Sequence, residues 1–223
     1  VHLAADTRVM DSIANPDSNF RTNVEGTYNL LRQAQRSGVR RVINASTGGA
    51  ILGEMRPPVH ENMAPQPLSP YGASKLAVEG YCSAFSNCYG LSTVSLRFSN
   101  IFGPRSFHKG SVIAHFFKNI LATDELVVFG DGSQIRDFLY VDDLVSGLAE
   151  FIKSDVTGVF QLGSGRPATI NELLNNMAEI VGADHKFNVR YVDFRPGEIR
   201  ETWSNIEKAQ QAINFRPKTT LTD

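Results

Sequence analysis

VRRVINA at residues 39–45, SPYGASKLAVEGYCSAFSNCYG at 69–90 and LSTVSLRF at 91–98 change hydrophobic period twice within one stretch of chain. The first is a short apolar run and reads as a strand. The second reads as a helix from about residue 70, where proline suits a first helical turn, to residue 90. The third reads as another strand. Upstream, Phe20, Val24, Tyr28, Leu31 and Ala34 recur at spacings of four and three, so a helix is expected over about residues 17–36, stopped by Gly38. Residues 1–5 form a short apolar run ending in small side chains and read as a strand. Strand, helix, strand, helix, strand at these lengths is the pattern of a parallel sheet with covering helices.

Working outward from that unit, the loop after residue 45 is marked by Gly48, Gly49, Gly53, Pro57, Pro58, Pro65 and Pro67. Beyond Asn100 the rhythm becomes irregular. Helices are expected over 111–122, 142–153 and 204–213, and one more begins at Thr169, where Glu172 completes a capping box. Short strands are expected over 126–129, 159–162 and 187–192. This second half reads as a smaller α/β lobe beside the sheet. The expected division is a dinucleotide-binding part, 1–98 with 138–162 returning to it, and a substrate lobe formed by 99–137 and 163–223.

With 223 residues, 42% of them apolar and 20% charged, the chain is ordinary for a soluble globular protein. The formal net charge of −1 is spread without basic blocks or an acidic tail, which argues against nucleic acid as a partner. No apolar run approaches the roughly 20 residues that a membrane span needs. Cys82 and Cys88 lie on different faces of one expected helix, so a bridge between them is not expected and a reducing cytoplasm suits them. His2, His60, His108, His115 and His185 show no ligand spacing, and no metal site is expected.

Tyr71 and Lys75 stand four apart at the head of the long helix and share a face. An ammonium held near a phenol favours phenolate and could draw its pKa from roughly 10 towards neutrality, giving a general base for a sugar hydroxyl. A packed tyrosine with a solvated lysine is the plain alternative. Ser46 and Thr47 directly follow a strand, where sheet-end loops carry functional groups. Ala4 and Ala5 close the first run with small residues that let a flat ring approach the backbone. Asn23 heads the first helix.

HLAA, TNVEGT, STGGAILGE, SPYGASK, LRFSNIFGPR, VFGDGSQIRDFLYVDDL and RPGEIRETWSNIEKA, in this order over essentially the whole chain, resemble the extended short-chain dehydrogenase/reductase family of NAD-dependent nucleotide-sugar epimerases and dehydratases. The resemblance implies a Rossmann-like, doubly wound parallel sheet with a smaller substrate lobe. It implies Tyr71 as base, Lys75 as its electrostatic helper on the nicotinamide ribose, and Ser46 and Thr47 as hydroxyls near the sugar's 4-oxygen. Ala4, Ala5, Asn23, Ser46, Tyr71, Lys75 and Phe98 would line NAD, with Ser99 beside Phe98. Asn100, Arg136, Arg195 and Glu198 would meet the UDP-sugar's diphosphate and ribose, and Val127 and Phe129 its uracil. Plainer readings stand beside these: an Arg136–Asp137 surface ion pair, Phe129 as core, Asn23 as a helix cap, Glu198 as merely solvated. Family members also pair through the two long helices as a four-helix bundle, so a homodimer is implied.

Within the family, dehydratases resemble Ser-Thr-Asp-Glu in the loop after the strand. Here Gly48 and Gly49 take the place of the acidic pair, and the loop and the RPGE segment are most similar to those of UDP-glucose 4-epimerases. Epimerisation at carbon 4 of a UDP-hexose through a 4-keto stage is therefore expected, with a dehydratase or reductase as the alternative. Two residues depart from the pattern. Gly48 stands where many members carry the key Ser or Thr, leaving Thr47 as its substitute, and Leu52 stands where an aromatic residue is common. The family's opening Gly-x-x-Gly-x-x-Gly turn, which holds the pyrophosphate at a helix N-terminus, has no counterpart in the sequence. The chain opens within a strand without Met, so about 60 to 80 preceding residues and one further C-terminal helix are expected by the family pattern. A cofactor-less binding or scaffold protein is the reading from a different functional class.

Overall fold

The computed structural model describes residues 1–122, 125–182, 188–194 and 199–223. β1 (Arg41–Thr47), β2 (Ser92–Phe98) and β6 (Gly158–Leu162) pair in parallel in the order β1-β2-β6. At the free side of β1, residues 1–5 make a single parallel bridge, His2 to Asn44, rather than the expected full strand. Its bonds run from His2 N to Ile43 O at 2.8 Å and from Ala45 N to His2 O at 3.1 Å.

Helices cover both faces of this sheet. On one side lie α1 (Val9–Ala14), α2 (Pro16–Phe20), α3 (Gly26–Arg36) and α5 (Pro70–Tyr89), with a π-helical turn, Arg21–Glu25, joining α2 to α3. Leu31, Ala34, Val42, Val78, Cys82, Phe85 and Leu91 pack together there. On the other side Ile43, Val94, Leu96, Phe160 and Leu162 meet Leu144 and Phe151 of α7 (Val141–Lys153) and Ala209 of α9 (Glu207–Ile213). Because side chains alternate along a strand, the opposite positions, Asn44, Ser46, Thr93, Ser95, Arg97 and Gln161, turn to the first side. All six are buried. They form a polar stripe beneath α5, with Asn44 bonded to Ser95 at 3.2 Å and Thr93 to the Cys82 carbonyl at 2.9 Å.

The lobe has its own core, in which Ile113, Phe116 and Ile120 of α6 (Val112–Ala122) pack with Leu126 and Val128 of β4 (Glu125–Phe129) and with α8 (Ile170–Val181). β4 pairs in parallel with β8 (Asn188–Val192). β3 (Asn100–Phe102), β5 (Ile135–Tyr140) and β7 (Pro167–Thr169), unforeseen from the pattern, form a third small sheet. The capping box at Thr169 and Glu172 forms as expected. At the C-terminal end Ile206, Ala209 and Phe215 pack with the main sheet rather than with the lobe, a departure from the expected division.

Buried Asp137, at the middle of β5, ties lobe to sheet. Its carboxylate accepts from Ser164 N and Oγ, both at 2.7 Å, from Ser204 N at 3.1 Å and from Gly165 N at 3.4 Å. The alternative of an Arg136–Asp137 surface pair falls, because Asp137 is 1% exposed and its oxygens are taken. Asp137→Asn turns a donor towards this ring of donors, and urea unfolding is expected to show a loss of roughly 2–4 kcal/mol. Wild-type stability in that variant would contradict the assignment.

Candidate active site

The carboxyl end of β1 and the first turns of α5 form the site. Ser69 caps α5, accepting from Gly72 N at 3.2 Å, and Pro70 sits in the first turn. Gly72 is obligatory, since a Cβ there would stand 2.1 Å from the Ala50 carbonyl oxygen of α4 (Gly48–Leu52). Ser12 of α1 adds a second restraint on the same turn, accepting from Tyr71 N at 3.2 Å while donating to Val9 O at 2.6 Å. The head of the helix is therefore held from three sides.

Tyr71 is 9% exposed, and the Thr47 hydroxyl stands close enough to its phenol to favour phenolate. Burial pushes the phenol up to about 12; the Thr47 hydroxyl opposes this, and the negative charge of Asp6 adds to it. Lys75, 7% exposed, donates from Nζ to Ala45 O at 3.0 Å. Burial draws it down to about 8, against the raising influence of Glu79. The expectation that the ammonium alone makes the phenol acidic is therefore not met. In this arrangement desolvation dominates both groups, and Thr47 is the partner that favours phenolate.

Ser46 departs from its expected place. Its hydroxyl donates to Glu79 Oε1 at 2.6 Å, and Arg97 grips the same carboxylate through Nε at 2.9 Å and Nη2 at 2.7 Å. Asn23 also serves inside the protein rather than as a helix cap. Its amide gives to Asp6 O at 2.9 Å and Ser74 Oγ at 3.0 Å and accepts from Asp6 N at 2.8 Å, fastening the segment after Ala5 to α5. Ala4 is exposed, Ala5 half-buried, and Phe98 is half-buried against the sheet core.

The open question of Gly48 has a steric answer. A Cβ at residue 48 would lie 2.5 Å from Gln161 Oε1, so a serine there would require the buried Gln161 side chain to shift. Thr47 remains as the hydroxyl of this turn.

Beyond the turn, residues 200–204 run between the two halves of the site. Ile135 N donates to Arg200 O at 3.0 Å and Thr202 N to Ile135 O at 3.1 Å. Thr202 Oγ1 stands 3.3 Å from where a Gly49 Cβ would be. Arg136 Nη1 lies 3.1 Å from Arg200 O, and the Arg200 guanidinium stacks 3.3 Å over the Phe194 ring. Phe194, Gly130, Asp131 and Tyr191 line an open surface depression of about 510 Å³. Val127 and Phe129 are half-buried on β4, alternating with the core residues Leu126 and Val128. Asn100 donates to Asp137 O at 3.2 Å. Arg195 and Glu198 lie outside the described residues. Glu79, Arg97, Gln161 and Arg200 were not anticipated, although Glu79 continues the Tyr71–Lys75 spacing by one more helical step.

Residues 1–163 match the NAD dependent epimerase/dehydratase family. A UDP-glucuronate 4-epimerase of Thermodesulfobacterium geofontis is 32% identical over 223 residues, spanning 99% of this chain and 68% of the relative. Among solved structures, the Thermotoga maritima UDP-glucose 4-epimerase with UDP-glucose superposes with a TM-score of 0.94 at 35% identity, over 99% of this chain and 72% of the other. The Thermus thermophilus UDP-glucose 4-epimerase in complex with NAD gives 0.91 at 34% identity, over 98% and 72%.

Two predictions follow from the geometry. Gly48→Ala is expected to cost about 1–3 kcal/mol, but under about 0.5 kcal/mol when made in Gln161→Ala protein; equal costs in both backgrounds would contradict the steric account. Between about pH 8 and 10.5, the ordinary lysine value, the unfolded chain holds a proton that folded Lys75 has released, so stability rises with pH there. Above about pH 10 folded Tyr71 keeps a proton that the unfolded chain loses, and stability falls. Urea titrations at stepped pH should show this maximum, and Lys75→Met should flatten its rising side.

Proposed function

Because this chain belongs to the NAD-dependent epimerase/dehydratase family, we propose that it inverts carbon 4 of a UDP-hexose. NAD, when bound, supplies the acceptor that takes the carbon-4 hydride and returns it, together with a positive charge that favours phenolate at Tyr71. The observation that carries the reading is the Thr47–Tyr71 hydroxyl pair beside a turn whose residues 48 and 49 bear no side chain. Thr47 orders the sugar's 4-hydroxyl, Tyr71 takes its proton and later gives it back, and Lys75 holds positive charge on the same helix face. A dehydratase needs an acid and a base to expel water at the 4-keto stage, and two glycines in that turn provide neither.

The donor set suits the nicotinamide end of the cofactor. Ala4 and Ala5 leave room beside the backbone, and Tyr71, Lys75 and Thr47 offer polar hydrogens at the carboxyl ends of parallel strands, where such ligands bind. Asn23 acts there by holding the Asp6 segment, and Ser46 and Phe98 by shaping the sheet end. We assign the diphosphate to Arg136 with Arg200, Arg195 and Asn100, the ribose to Glu198, and the uracil to the surface of Val127 and Phe129. An arginine fork matches phosphate oxygens in pairs. The parts 1–98 with 138–162 and 99–137 with 163–223 serve cofactor and substrate respectively, residues 206–215 excepted.

We further infer a homodimer in which α3 and α5 pair with their copies. Tyr28, Tyr81, Phe85 and Tyr89 form a ladder of ring contacts 5.0–6.1 Å apart, and Tyr81 and Tyr89 are exposed. Buried Cys82 and exposed Cys88, both free, suit the cytoplasm.

Incubation with UDP-glucose and with UDP-N-acetylglucosamine, followed by separation of products, is expected to yield the carbon-4 epimer of at least one. A 4-keto-6-deoxy product would identify a dehydratase instead, and failure of NAD to bind at millimolar concentration would favour a binding protein. Tyr71→Phe is expected to lower turnover by about 10²–10⁴-fold while leaving UDP-sugar affinity within about threefold; wild-type turnover would remove the base from Tyr71.

A further inference from the structure

Glu79 lies outside every role assigned so far, yet its carboxylate is buried and firmly held beside the site. Its three donors are Ser46 Oγ at 2.6 Å, Arg97 Nε at 2.9 Å and Arg97 Nη2 at 2.7 Å. Glu79 is 7% exposed and Arg97 3%. A buried ion pair of this kind adds little net stability over apolar residues of equal volume, although breaking it is costly. What it fixes is geometry. Tyr71, Lys75 and Glu79 stand on one face of α5 at successive four-residue steps. Their partners are three consecutive residues of β1: Thr47 for Tyr71, the Ala45 carbonyl for Lys75 and Ser46 for Glu79. Arg97, paired with Ser46 across β1 and β2, anchors the third contact to the next strand.

Resting on the reading just given, we propose that Glu79 is a positioning residue for the reaction: clamped by Arg97 and Ser46, it fixes the register of α5 on the end of β1 and supplies the negative charge that faces Lys75. The charged and titratable groups around that lysine come from each packed element. The N-terminal segment brings His2, whose imidazole burial and then the Lys75 charge hold below its usual range, and also Asp6, which acts on the phenol. Helix α5 brings Tyr71 and Glu79, and β2 brings Arg97; β1 offers only a carbonyl. Among these, Glu79 is the one that raises Lys75 against the pull of burial. Without it the lysine sheds its proton at lower pH, and the positive charge beside the phenol is lost within the working range.

The test is a side-chain NMR titration of Lys75 in the wild type and in Glu79→Gln, with the pH profile of turnover measured alongside. The Lys75 midpoint is expected to fall by about half a unit or more. Turnover should drop about 10–100-fold with KM for the UDP-sugar within about twofold, and the alkaline limb of kcat should move to lower pH with the lysine. A role confined to stability would lower kcat evenly and leave the limb in place. An unmoved Lys75 midpoint overturns the proposal. Should Glu79→Gln not fold, Glu79→Gln/Arg97→Met removes both charges and is expected to fold; compared with Arg97→Met alone, its Lys75 midpoint should lie lower by about half a unit or more, and equal midpoints in the two overturn the proposal. The titration needs no turnover, so a wild type inert towards UDP-hexoses would sink the epimerase reading and leave this result legible.

Discussion

The end of β1 meets the face of α5 through side chains and a carbonyl rather than through apolar packing alone, and the site depends on that contact. Residues 45 and 46 bind residues 75 and 79, and the Thr47 hydroxyl lies beside the Tyr71 phenol. Each contact joins a strand position fixed by the parallel ladder to a helix position fixed by the four-residue repeat, so the two elements can dock in one register only. A slip of one strand residue would turn the Ser46 hydroxyl away from Glu79. The stripe of buried polar residues from Asn44 to Gln161 then has a clear purpose. It gives the α5 side of the sheet a pattern of hydrogen bonds, while the side facing α7 and α9 stays apolar.

This arrangement also accounts for the electrostatics. Tyr71 and Lys75 are both placed where their charged forms are disfavoured, the phenol pushed up to about 12 and the ammonium down to about 8. A pair so poised responds strongly to any charge brought beside it, because little solvent remains to screen the interaction. Asp6, His2, Glu79 and Arg97 set the background against which that response occurs.

Much of the fold was legible because its periodicities are strong. The helix over residues 70–89, its flanking strands and the Thr169 capping box could be read from residue order alone, and the motif series identified the family. The strand at residues 1–5 was overread: only His2 pairs, as one bridge beside β1. β3, β5 and β7 were missed because their hydrogen bonds join distant segments and leave no periodic trace in so few residues. At the site, Tyr71, Lys75 and Thr47 come together at the end of β1. Ser46 was misread because adjacency in sequence hides alternation, and a strand that sends Thr47 towards the phenol sends Ser46 towards Glu79. The glycine at residue 48 is explained by Gln161, more than a hundred residues away, whose side chain lies against it. Glu79 and Arg97 were visible as a third helical step and a lone cation in a buried strand, but Glu79 lies just beyond SPYGASK, and within LRFSNIFGPR the roles went to Phe98, Ser99 and Asn100 rather than to Arg97.

Residues 200–204 unite the two halves, running from Arg136 past Gly49 to Asp137. A sugar nucleotide spanning that path would have its diphosphate at the arginines and its hexose at Thr47 and Tyr71. The central claim is that these two hydroxyls hold the proton of a sugar alcohol while carbon 4 gives up its hydride and receives it back. Turnover of UDP-hexose deuterated at carbon 4, followed by mass spectrometry of the recovered epimer, tests it most directly. The account predicts that the epimer keeps its deuterium at carbon 4. Epimer carrying solvent hydrogen there would contradict it.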